Sequence, residues 1–175
     1  LIVMVRVSAL SPREVEALQA ALDLAHQSWA SCDQLIREHG EVRPFTRIRA
    51  GERRRVHGFW RLFVRHGLPV PPVPRGEPIQ ASDSLAEACN QGSEQERSRL
   101  RRVRQLVSLV QDEELQAALR DQIEASEARY MPAYERCGQC RNTQAGGCPD
   151  GPSRQASAPP RRCLARSDQD WLWTE

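Results

Sequence analysis

At 175 residues, 39% hydrophobic and 27% charged, the chain is long enough for one domain with a core and too apolar to be disordered. Its formal charge of +2 is too balanced to require nucleic acid. No apolar run approaches the ~20 residues of a membrane span. All 25 basic residues are arginine, a bias that GC-rich coding accounts for.

The opening Leu1-Ile2-Val3-Met4-Val5 is apolar but lacks the charged flank and the length of a signal segment. It reads as a misplaced start or the tail of a clipped signal, and points to no compartment. The first helix begins at Ser11-Pro12-Arg13-Glu14, a capping box with proline at the first helical position. Val15, Leu18, Leu22, Ala25, Trp29, Cys32 and Ile36 then recur in steps of three and four, and His39-Gly40 is the stop. After Pro44 a second helix carries Phe45, Ile48, Val56, Phe59 and Phe63 on one face and stops at His66-Gly67. The short link makes these two helices antiparallel neighbours.

A proline-rich stretch from Leu68 to Pro74 reads as stiff and extended, followed by a brief helical piece from Ser84 to Asn90. A third helix is expected from Gly92-Ser93, with Ser93 and Glu96 as its capping box and Leu100, Val103, Val107 and Val110 as its stripe. Asp112 caps a fourth, with Leu115, Leu119, Ile123, Tyr130 and Tyr134 inward and Pro132 as a kink. The expected class is all-α, a four-helix bundle over 10–136 and an irregular Cys-, Pro- and Arg-rich tail over 137–175. Trp171-Leu172-Trp173 in that tail reads as a segment that docks back on the bundle. The connection from Leu68 to Gly92 can run the length of a helix, which is the long crossover of ferritin-like bundles.

Glu52 lies in step between Ile48 and Val56, and Glu127 between Ile123 and Tyr130. A carboxylate on an apolar face needs a partner or a metal. The stretches LSPREVEAL, FTRIRAGERR, HGLPVP, LAEACNQGS and IEASEARYMPAY, in that order and spacing, resemble the prokaryotic ferritin-like, rubrerythrin-related family whose members carry a domain of unknown function. The resemblance covers about three quarters of the chain and implies pairing of bundles into a homodimer. It also implies a di-iron centre with a carboxylate from each of two helices and a Glu-x-x-His from each of the others. On that pattern Glu52 and Glu127 are the two Glu-x-x-His glutamates, but Arg55 and Tyr130 stand where the histidines belong. The other carboxylates fall near Ala21 or Leu22 and near Val107 or Ser108, so both are missing.

The favoured reading is a ferritin-like bundle that has lost most of its iron ligands and serves as a non-catalytic structural or interaction module. Its two glutamates then pair with Arg55 or other arginines and accept from Tyr130. The alternative is a rubrerythrin-like oxidoreductase or iron-handling protein with a reduced or relocated site. Asp23, His26 and His57 are its spare ligands, although none is in step with the stripes and His26 is expected on the helix flank.

Cys32 and Cys89 stand alone in sequence, Cys32 on the first apolar stripe. Cys137-Gly138-Gln139-Cys140, with Cys148 and Cys163, supplies four sulfurs for zinc, although the second pair lies farther apart than a short knuckle requires. Disulfides and unpaired thiols are the other readings. The arginines crowding the second and third helices read as solvated faces with acidic partners. With no aromatics interleaved to stack bases, they argue against nucleic acid.

Overall fold

In a computed structural model of the chain, residues 9–74 and 80–139 are described. They form four helical rods and, among the described residues, no strand: α1 (Pro12–His39), α2 (Phe45–Arg65), α3 (Leu85–Val107), and a fourth rod built of α4 (Glu113–Ala125), a π-helical turn (Ser126–Tyr130) and α5 (Met131–Gln139). No helix among them is long and apolar enough to cross a membrane.

The expected helix signals at Ser11 and Asp112 both work as caps. The Ser11 hydroxyl accepts from the Glu14 amide while Glu14 accepts from the Ser11 amide at 2.9 Å. The Asp112 carboxylate accepts from the Leu115 amide at 2.9 Å. At Gly40 φ is +83°, and its N–H closes the last turn of α1 onto Ile36, a backbone region open to glycine.

Helix α3 departs from expectation. It is continuous from Leu85 with Ser84 as its N-cap, so Ser93 and Glu96 lie mid-helix and buried. Gly92 does not start a helix. It lets the Tyr134 ring lie on the backbone, because a Cβ there would sit 2.5 Å from Tyr134 Cε1.

The fourth rod passes through Pro132 without ending. Proline donates no hydrogen bond and its ring crowds the preceding turn. The wide π turn lies immediately before it and makes room. The rod continues beyond Arg136, so Cys137 is helical.

Hydrogen bonds and ion pairs fix the rods' directions. Arg49 meets Asp33, so α1 and α2 run antiparallel. Arg104 meets Glu127 and Arg97 meets Glu135, so α3 and the fourth rod do too. Arg65 at the end of α2 meets Glu114 at the start of α4, whereas Ser82 ahead of α3 meets His39 at the end of α1. The chain therefore leaves α2 at one end of the bundle and enters α3 at the other. The long crossover is present, and the rods run up, down, down, up.

Candidate functional site

The core falls into two apolar bodies. One is built on Leu18, Leu22, Phe59, Phe63, Val103 and Leu115, the other on Leu35, Phe45, Ile48, Cys89, Tyr130 and Tyr134. Between them lies a layer of buried charge. Glu52 of α2 and Glu96 of α3 are each 1% exposed. Each is paired with an arginine three residues on in its own helix, Glu52 with Arg55 and Glu96 with Arg99. Glu96 also accepts from the Ser126 hydroxyl. The Arg55 guanidinium lies 5.6 Å from the centre of the Tyr130 ring.

Burial pushes the Glu52 carboxyl above the usual range. Arg55 and then Arg99 pull against that shift, while Glu96 adds to it. Burial, with Glu52 adding its charge, pushes the Tyr130 phenol up to about 12. Among the described residues, Glu52 Oε2 and both amide atoms of buried Gln122 have no hydrogen-bond partner. Below the layer, Cys32 Sγ lies 3.8 Å from the Tyr134 hydroxyl, and burial raises its thiol to about 12.

The structure keeps Glu52 and moves its companion. Glu127 is not on the core face: its side chain is 46% exposed and pairs with Arg104. The π turn is the cause. Spacing from Ile123 to Tyr130 assumes an α-helical period, and the wider turn breaks that phase. Ser126 takes the inward position instead. The second buried carboxylate is Glu96, disguised in sequence as half of a capping box. The signal that finds it is repetition: Glu52-x-x-Arg55 recurs as Glu96-x-x-Arg99, in step with Leu100 and Val103.

Ala21 and Leu22 are buried in the first apolar body and supply no ligand. Val107 and Ser108 lie at the end of α3, away from the layer. His26 is not on a solvated flank. It is 4% exposed, lies 6.1 Å from the rings of both Trp29 and Trp60, and its Nε2 has no hydrogen-bond partner among the described residues. Burial lowers its pKa against the pull of Asp23.

Cys89 and Cys137 form a disulfide that ties α3 to α5. This corrects both the solitary Cys89 and the four-sulfur zinc set, because a sulfur bonded to sulfur is not a thiolate ligand. Cys140, Cys148 and Cys163 lie outside the described residues. Among the described residues no three His, Cys, Asp or Glu side chains are grouped to hold a metal ion.

A di-iron centre of the ferritin-like kind does not fit the layer's donor set. Two carboxylates face it, and the positions one turn along carry permanently charged guanidinium groups rather than imidazoles. A cation placed between the carboxylates would lie beside two guanidinium groups and be repelled by both.

No family model matches the chain, and neither a curated protein nor a solved structure matches it.

Proposed function

We propose that the chain is a ferritin-like bundle in which two Glu–Arg pairs stand where a di-iron centre would lie, and that it serves as a non-catalytic structural or interaction module. One observation carries this reading: both buried carboxylates are already neutralised, each by an arginine of its own helix. Removing charge from water is tolerated only when a partner replaces the lost hydration. A guanidinium does this permanently, since it does not deprotonate in proteins. The up-down-down-up order with its long crossover supports the ferritin-like part of the reading.

Elemental analysis tests the proposal, on protein purified without chelator and then exposed anaerobically to iron(II). The expected result is iron far below one equivalent, unchanged in a Glu52→Ala, Glu96→Ala double variant. Near-stoichiometric iron lost in that variant would overturn the proposal and favour the rubrerythrin-like oxidoreductase. Zinc abolished by Cys140→Ser and Cys148→Ser would add a structural metal outside the bundle and leave the reading of the buried pairs unchanged.

A further inference from the structure

Where the π turn passes α3, an open groove of about 480 Å³ is lined by Arg97, Leu100, Arg101, Arg104, Glu127 and Met131. Its apolar part is Leu100 with Met131, and three guanidinium groups surround it. Arg97 is shared between Glu94 at 3.5 Å and Glu135 at 3.1 Å, and Arg104 pairs with Glu127. Arg101 has no ion-pair partner among the described residues. Leu100 is itself buried. A ligand for such a groove carries carboxylates to meet Arg101 and flat apolar groups to cover Leu100 and Met131.

The chain contains one. Residues 140–167 hold five arginines and a single acid, Asp150, and no tryptophan. Charge then reverses: Asp168-Gln169-Asp170-Trp171-Leu172-Trp173-Thr174-Glu175 has three carboxylates, two tryptophans, a leucine and no basic residue. The 28 residues between Gln139 and Asp168 can reach up to about 90 Å. The 23 residues of α3 extend only about 35 Å, so the whole groove is within range.

We propose that the groove is the docking site for the chain's own residues 168–175, with Asp168 or Asp170 on Arg101 and the tryptophans over Leu100 and Met131. The π turn contributes to the site by turning Glu127 out to Arg104 instead of into the core. The interaction is intramolecular and weakens with salt, because its charged part is exposed.

The test uses the full chain labelled with 5-fluorotryptophan and read by fluorine NMR, with the four tryptophan signals assigned by single Trp→Phe variants. The expected result is that the Trp171 and Trp173 signals lie away from the solvent-exposed position. Arg101→Glu returns both to it, and so does molar salt. Arg120→Glu, which reverses an exposed charge outside the groove, leaves them unmoved, and dilution changes nothing. The proposal is overturned if the two signals already sit at the exposed position in the parent chain. It is equally overturned if they are displaced but indifferent to Arg101→Glu, or if they move on dilution, which would assign the contact to a second copy. The Trp29 and Trp60 signals report in the same spectra that each variant is folded.

Discussion

Glu52 and Arg55 lie one helical turn apart, and each stands in for the water the other has lost. Removing one partner alone leaves an uncompensated charge, whereas removing both leaves an apolar site. Arg55→Leu is therefore expected to cost about 3–5 kcal/mol in urea denaturation, and Glu52→Leu with Arg55→Leu to cost much less than the sum of the single changes. The pH dependence of Arg55→Leu has a definite sign. Burial raises the folded-state pKa of Glu52 above 4.5, and Arg55 is the strongest opposing influence. Without it the carboxyl rises further. Between 4.5 and that raised value the folded state holds a proton the unfolded state has released, so stability falls as pH rises. The penalty of Arg55→Leu should be small below pH 4.5 and grow above it, as urea midpoints on either side will show. Glu52 is legible in sequence because it keeps step with Ile48 and Val56. Glu96 keeps step equally well with Leu100, but Ser93 three residues before it imitates a helix start. Periodicity and capping competed there, and the signal at Ser84 was the one that marked the helix.

At the scale of elements, glycine has opposite meanings in two helices. Gly92 of α3 lies under a buried ring, and its Cβ would overlap Tyr134 by a distance no real contact shows. A Cβ added at Gly58 of α2 would meet nothing within 4 Å among the described residues beyond its own helix. Gly92→Ala is expected to destabilise by about 1–3 kcal/mol through overpacking. Gly58→Ala should stabilise by up to about 1 kcal/mol through helix propensity alone. Chemical denaturation of the two variants side by side checks both signs. The sequence shows glycine at each place and cannot tell them apart, because the ring that distinguishes them comes from residue 134, far along the chain. The same distance hides the disulfide between Cys89 and Cys137. Starts and stops written locally, at Ser11, Gly40, Gly67 and Asp112, are readable from neighbours alone. The π turn is not, since nothing in Ser126-Glu127-Ala128-Arg129-Tyr130 announces a wider turn except Pro132 beyond it.

Across the whole molecule, one side chain joins the first helix to the last link. Glu14 completes the α1 capping box and also accepts from the Gln111 and Asp112 amides, both at 2.8 Å. These hydrogen bonds, those from Ser11 foremost, lower its pKa from 4.5 to about 2. A depressed carboxyl stabilises the fold above its unfolded-state pKa and loses that contribution as pH falls through the folded value. The parent chain should lose stability from this group as pH falls from 4.5 towards 2. Glu14→Gln should flatten that part of an acid denaturation curve. The crossover was legible at this scale from length alone, although it ends at Ser84 rather than Gly92. It divides the chain into two hairpins, α1 with α2 and α3 with the fourth rod. The Glu52–Arg55 pair lies wholly in the first, and the Glu96–Arg99 pair and the disulfide wholly in the second. Each half is thus charge-balanced at its own core layer, with no covalent tie to the other among the described residues except the crossover. A chain parted along the seam between hairpins would therefore keep both buried ion pairs and the disulfide intact, and would lose the contacts that cross the seam, Arg65 with Glu114, His39 with Ser82 and Glu14 with the Gln111 and Asp112 amides.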